Sequence, residues 1–206
     1  SATVAISECV AVHVRRCAPR AADRVRVIYN GVDLARLRAA AAGAATVREE
    51  LALAPDAPIV GTAAQLVPWK RLEVFVEAAA LLKDTAAAFL VLGADLFSEH
   101  GRYVAALRRR AEQLGVDERI RWLGYRRDAP RVLAALRVYL HTADREPLGR
   151  AILEAMALGV PCVAPDAAGP AEVLTDGRTG LLYAPGSAVA AAAGVRRLLS
   201  DDGLAA

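Results

Sequence analysis

VYLHTADREPLGRAILEAMALGVPCVA, residues 138–164, decides how the chain folds. Val138–His141 is a short apolar run of strand type, Leu148–Leu158 carries apolar residues at helical spacing, and Cys162–Ala164 is apolar again. Strand, helix and strand within so short a span require the two strands to run parallel, because a hairpin would need no helix between them.

The same alternation extends in both directions. Further strands are expected at Thr3–Ser7, Val25–Ile28, Ile59–Ala64, Phe89–Gly93 and Ile120–Leu123. Further helices are expected at Glu8–Cys17, Val47–Leu53, Arg71–Leu82, Tyr103–Leu114, Pro130–Leu136, Ala171–Leu174 and Ala188–Leu199. Thr46 and Glu49 have the spacing of a capping box for the helix at Val47. Strands that read as continuous apolar runs between helices predict an α/β fold, a single Rossmann-like doubly wound parallel sheet covered on both faces. Two stretches break the alternation. Residues 39–45 are rich in alanine and glycine, and the polar segment Asp95–Gly101 follows a strand, at the edge where open α/β sheets bind ligands.

A length of 206 residues suits one domain. The hydrophobic fraction of 55% is mostly alanine and aliphatic, with 5% aromatic residues, so the core is expected to be packed from small and branched side chains. A net charge of +3 and arginine clusters at Arg108–Arg110 and Arg126–Arg127, without interleaved aromatics, argue against a nucleic-acid partner. No apolar run reaches the roughly 18 residues of a transmembrane segment, and the N-terminus lacks the basic start of a signal peptide. The expected location is the cytoplasm, with the full-length protein free to sit peripherally on a membrane. Cys9, Cys17 and Cys162 show no metal spacing and read as reduced structural residues. His141 ends a strand near Glu146 and is read as a satisfied structural histidine.

The chemistry concentrates between Glu146 and Glu154. Eight helical residues rise roughly 12 Å and turn a little more than twice, so both carboxylates face about the same way yet lie well apart. Glycosidase carboxylates flank one bond at about 5 to 9.5 Å, so such a dyad fits poorly. Pro147 reads as a first-turn residue, leaving the amides of Leu148, Gly149 and Arg150 free to meet an anion at the helix N-terminus. A nucleotide-sugar has the matching shape: ribose diols near Glu154, pyrophosphate over the helix start, sugar hydroxyls near Glu146. Lys70 stands at an apparent helix start, where a cation is unfavourable unless an anion joins it. Trp69 beside it is read as a packing residue.

Five stretches together resemble the retaining GT-B glycosyltransferases of the group-one class, the family-four type. They are VIYNGVD at 27–33, QLVPWKR at 65–71, the Glu146–Glu154 segment, AGPAEV at 168–173 and DGRTGLL at 176–182. The resemblance implies the C-terminal, donor-binding half of a GT-B fold. Residues 1–29 would be the tail of the N-terminal lobe and the interdomain linker. Residues 30–206 would be the nucleotide-sugar domain, truncated at its C-terminus, with the acceptor-binding lobe missing.

By the same resemblance, Glu146 and Lys70 are the expected catalytic residues. Gln65, Lys70, Tyr125, Arg126, Glu146, Leu148, Gly149, Arg150 and Glu154 are the expected donor-binding residues. Gln65 stands where the family usually has arginine, which removes a charge. The loop carrying Tyr125 and Arg126 would cup the nucleobase, largely through main-chain groups. Ala168 replaces the first glycine of a usual pair, leaving close backbone approach to Gly169, and Glu172 reads as structural. No Asp-x-Asp pair offers a metal site, so no metal or cofactor is expected. The implied activity is retaining sugar transfer from a nucleotide-diphosphate sugar, the isolated domain being inactive alone. A sugar-nucleotide epimerase on the same architecture and a non-catalytic nucleotide-sugar-binding module are the alternatives.

Overall fold

The computed structural model describes residues 2–201 and 203. The chain opens with β1 (Thr3–Ala5), α1 (Glu8–Cys17) and β2 (Val25–Val27), the two strands pairing in parallel. Ala5, Ala11 and Val25 are buried between them as a small core of their own. The expected strand to Ser7 stops short because Ser7 caps α1, its hydroxyl accepting from Val10 N at 3.3 Å. After β2 come α2 (Leu34–Ala40) and α3 (Val47–Glu50).

The main sheet then begins. Its elements are β3 (Ile59–Ala63), α4 (Leu72–Leu81), β4 (Ala88–Leu92), α5 (Gly101–Gln113), β5 (Ile120–Gly124) and α6 (Ala129–Ala134). They continue with β6 (Val138–Leu140), α7 (Arg150–Ala157), β7 (Cys162–Pro165), α8 (Ala168–Val173), β8 (Leu181–Tyr183) and α9 (Ala188–Ser200). The order across the sheet is β5-β4-β3-β6-β7-β8, with parallel pairing at each neighbour. The doubly wound α/β fold expected from the sequence is therefore present. Strand order reverses between β3 and β6, whose helices leave to opposite faces, and a crevice opens at that point.

Two cores flank the sheet. On one face α4, α5 and α9 bury Leu72, Phe75, Leu107, Val195 and Leu198 against Val60, Phe89 and Val138. Helix α4 is apolar nearly all round because it lies between the sheet and two helices, and Phe75 meets Phe89 edge to face at 6.2 Å. On the other face α3, α6 and α7 bury Val47, Val132, Leu133 and Ile152 against Ile59, Leu90 and Tyr139.

One local expectation needs correction, and two elements are not expected from the sequence. The Thr46–Glu49 capping box does not form: Thr46 is helical and its hydroxyl donates to Gly43 O at 2.8 Å while accepting from Arg131 at 2.9 Å. Helix α2 goes unanticipated although Asp33 caps it by accepting from Arg36 N at 3.0 Å, because the alanine-glycine run after it blurs its end. Strand β8 is only three residues long, too short to carry a period. Its entry is fixed by Asp176, which accepts from Leu182 N at 2.8 Å, and by Gly180, where a Cβ would lie 2.8 Å from Cys162 O. The chain end, where the resemblance implies a truncation, lies partly outside the described residues.

The carboxyl ends of β3 and β4 approach so closely that a Cβ on Gly93 would lie 1.8 Å from Ala64 O, at a φ of +132°. Overpacking and backbone strain each cost roughly 1 to 3 kcal/mol. Gly93→Ala is therefore expected to lower the urea-unfolding free energy by about 3 kcal/mol or more. A loss below about 1 kcal/mol, ordinary for a surface change, would contradict this close approach.

Candidate functional site

Two loops meet where the strand order reverses. One leaves β3 through Gln65 and Lys70, and the other leaves β6 through His141 and Glu146. They are stitched at three points. Thr142 donates from its hydroxyl to Lys70 O at 2.7 Å, Arg71 donates to Asp144 at 2.5 Å, and Lys70 Nζ pairs with Glu146 Oε2. The last pair is largely sheltered, its side chains 14% and 13% exposed. Removing one partner of such a pair leaves an uncompensated charge, typically a loss of about 3 to 5 kcal/mol. The anion expected beside Lys70 is thus supplied, in the free protein, by Glu146 itself.

Lys70 belongs to a short 3₁₀ turn, Pro68–Lys70, rather than to α4, which follows after Arg71 in the left-handed region at φ +55°. Its ammonium stands 4.1 Å from the centroid of the Trp69 ring. Trp69, expected as a packing residue, is exposed and presents its ring face to this cation.

The helix expected to carry both acids begins later than its sequence suggests, so it carries Glu154 while Glu146 lies in the loop before it, and the eight residues between the acids are not all helical. Gly149 is its N-cap, at φ +91°, and α7 starts at Arg150. Pro147 therefore precedes the helix instead of opening it. Its carbonyl accepts from the Ser7 hydroxyl at 2.5 Å, and Glu146 O accepts from Gly169 N at 2.9 Å. A Cβ on Gly169 would lie 2.4 Å from Leu148 Cα, so this glycine permits the close approach that fixes the loop. Leu148 is buried. The first-turn amides of α7, at Arg150 and Ala151, lack intrahelical acceptors by helix geometry, and this end of the dipole favours an anion.

Glu154 lies one turn on, accepting from Arg150 Nε at 3.1 Å. It lines a cleft of ≈ 330 Å³ with Asp33, Arg36, Arg127 and Pro130. Tyr125 projects from the β5–α6 loop, 66% exposed. Arg126 does not project with it. Its guanidinium donates to Asp128 at 2.8 and 2.7 Å and to Glu50 at 2.6 Å, and Arg131 joins the same two carboxylates. These arginines hold the Asp128 carboxyl well below the usual range and keep Arg126 fully charged. Arg126 is thus tied to α3 and cannot stack on a base without breaking that network. Arg127, which sequence reasoning does not single out, lines the cleft with Glu154.

Glu172 is structural, as its position suggested. Its carboxylate accepts from the amides of Glu8 and Cys9 at 2.8 and 2.6 Å and from the Tyr29 hydroxyl at 3.0 Å, docking α1 onto α8. Cys162 is buried and free, its thiol pushed up to about 12 by burial. Among the described residues no three His, Cys, Asp or Glu side chains cluster as a metal site needs, and no helix is long and apolar enough to cross a membrane.

His141 corrects an expectation more sharply. It is 3% exposed, yet among the described residues its Nε2 finds no hydrogen-bond partner. That atom stands 3.6 Å from Glu146 Oε2. Its neighbourhood is the acid at the crevice, which sequence position alone hinted at.

The fold is a doubly wound α/β sheet with a lysine–glutamate pair and a helix N-terminus at its switch point, and comparison with known proteins places it in a family. Residues 44–206 match the family described as glycosyl transferases group 1, and the chain belongs to that family. It is 30% identical over 203 residues to the lipopolysaccharide core biosynthesis glycosyltransferase LpsE of Rhizobium meliloti, covering 96% of this chain and 56% of LpsE. It is 36% identical over 170 residues to D-inositol 3-phosphate glycosyltransferase of Nocardia farcinica, covering 78% of this chain and 36% of that enzyme. HepE of Anabaena, solved in complex with UDP-glucose, superposes with a TM-score of 0.90 at 30% identity, over 100% of this chain and 56% of HepE. The chain thus spans about half the length of HepE and LpsE or less of other relatives, and its fold is the C-terminal half of a GT-B structure.

Burial, and then the charge on Lys70, push the His141 imidazole down to about 3. An unfolded histidine takes its proton near pH 6.5, so between these values the unfolded state binds more protons and stability falls as pH drops, by up to about 1.4 kcal/mol per pH unit. His141→Gln is expected to flatten the slope of unfolding free energy between about pH 6.5 and 4 relative to the parent. An unchanged slope would mean that the folded ring protonates like a free one.

Proposed function

We propose that this chain binds the nucleotide-sugar donor of a retaining glycosyltransferase, with UDP-glucose as the first donor to test. The observation that carries this is the sheltered Lys70–Glu146 pair at the switch point, set beside the N-terminus of α7. Such a pair holds a cation ready for an anion that arrives. The complex of HepE with UDP-glucose supports the choice of donor.

In this reading the diphosphate lies over the first turn of α7. The Arg150 and Ala151 amides and Lys70 stabilise the charge that grows on it as the glycosidic bond breaks, the contribution that usually dominates such catalysis. A lysine ammonium has three donors, so Lys70 can serve a phosphate oxygen without leaving its place. Glu146 takes sugar hydroxyls, Glu154 takes the ribose diol, and Gln65 bonds a phosphate oxygen or sugar hydroxyl. Gly149 provides the turn that aims the amides, and Leu148 packs beneath it. Tyr125 flanks the base, with Arg127 in place of Arg126. The acceptor attacks on the face from which the diphosphate departs, giving retention. Lys70 and the amides supply the positive charge that a metal would otherwise bring, so binding needs no divalent cation.

Calorimetry in the presence of a chelator is expected to detect UDP and UDP-glucose binding. Glu154→Ala should weaken both ligands by about 1.5 to 3 kcal/mol, the range for a lost charged hydrogen bond. Glu146→Ala, which frees the Lys70 ammonium, should leave UDP at least as tightly bound while weakening UDP-glucose. Binding that appears only with magnesium or manganese, or equal losses for both variants on both ligands, would sink the assignment.

Transfer needs an acceptor held in near-attack geometry, worth several kcal/mol of barrier. We place that role largely in a preceding lobe, since the relatives are about twice as long. Residues 1–206 alone are then expected to bind donor and transfer no sugar. Transfer by this purified chain, abolished by Glu146→Gln, would overturn the division of labour.

A further inference from the structure

Glu146 has a second neighbour whose role the donor reading leaves open. His141 continues β6, its amide donating to Val163 O at 2.8 Å and its carbonyl accepting from the Tyr183 hydroxyl at 2.9 Å. The backbone is held on both sides, so the ring has a fixed place. Three groups face it: Tyr139 Oη at 3.3 Å from Nδ1, Glu146 Oε2 at 3.6 Å from Nε2, and the Lys70 ammonium, whose charge lowers the ring's proton affinity.

The neutral ring carries one proton, and its position follows from the charges around it. An unprotonated Nε2 would set its lone pair against a carboxylate oxygen, whereas a protonated Nε2 sets a donor there. In a buried site of low dielectric the second arrangement is strongly preferred. It leaves Nδ1 unprotonated, an acceptor that shares the single Tyr139 hydroxyl proton with Ala63 O, each at 3.3 Å. The 3.6 Å separation is just beyond hydrogen-bond reach, so a small approach of the carboxylate completes the bond. While Lys70 engages Glu146, that approach is unnecessary. When an anion claims the ammonium, it becomes the way to keep Glu146 in place.

We propose that His141 is the positioning residue of Glu146: its Nε2–H holds the carboxylate toward the sugar while Lys70 serves the diphosphate. This rests on the donor-site reading above. A neutral donor suits the task because it holds the acid without neutralising it and without competing for the phosphate. The same site with a second cation would bind the diphosphate more tightly and orient Glu146 less selectively.

Two measurements test it. In calorimetry, His141→Leu should weaken UDP-glucose about tenfold, one strong hydrogen bond, and UDP less than about twofold. His141→Gln, which keeps an N–H donor, should recover most of the loss. In a Glu146→Gln background, His141→Leu should add little further loss. Equal weakening of both ligands, failure of His141→Gln to recover, or the same loss with and without Glu146 would reduce His141 to a packing residue. The second measurement needs no ligand. Nitrogen-15 spectra of the free chain should show a neutral ring protonated at Nε2 that shifts on Glu146→Gln. A ring protonated at Nδ1, or one indifferent to Glu146→Gln, overturns the proposal. Should the unsubstituted chain bind neither nucleotide, the donor reading fails, and the spectra still decide whether His141 is coupled to Glu146.

Discussion

Lys70 and Glu146 set the terms for the rest of the site. Moving two charges out of water costs several kcal/mol for each ion, and their attraction offsets this only where geometry is tight and the remaining donors are used. Here the requirement is met by the sheet. Its strand order reverses between β3 and β6, so the loops after these strands converge from opposite faces. Thr142 on Lys70 O and Arg71 on Asp144 then lock the loops in register. An ion pair in such a place is weakly stabilising, and it is also the arrangement most readily reorganised by an incoming anion.

Around this pair the backbone is held by groups far away in sequence. Gly169 approaches Leu148, Ser7 reaches Pro147 O, and Glu172 pins the start of α1. The N-terminal unit β1-α1-β2 is thereby tied to the loop that carries Glu146. The path from that unit to the loop runs through the Ser7 hydroxyl on Pro147 O and, by way of Glu172 on α8, through Gly169 N on Glu146 O.

What the sequence made legible follows from where the signals are local. Apolar strands such as Phe89–Leu92 and the helix periods of α4 and α9 encode the α/β sheet, because burial on both faces leaves a composition mark. Two of the five motifs lie on the loops that meet between β3 and β6, where Lys70 and Glu146 pair, while Glu154 lines a cleft with Asp33 and Arg127. The errors are tertiary. Pro147 looks like a first-turn residue until Ser7 and Gly169 are seen to hold it in the loop before the helix. Arg126 looks free until Glu50, from α3, is seen to reach it. His141 looks like a core histidine because nothing in the order of residues reveals a carboxylate 3.6 Å from its ring.

The central claim is that the Lys70–Glu146 pair is an anion site held shut by its own carboxylate. The most direct measurement is a crystal structure of the chain with UDP-glucose bound. The account predicts a phosphate oxygen within hydrogen-bond distance of both Lys70 Nζ and the first amides of α7, with the ribose on Glu154 and the Glu146 carboxylate turned to the sugar. A donor bound elsewhere, with the Lys70–Glu146 pair intact and untouched by phosphate, would contradict it.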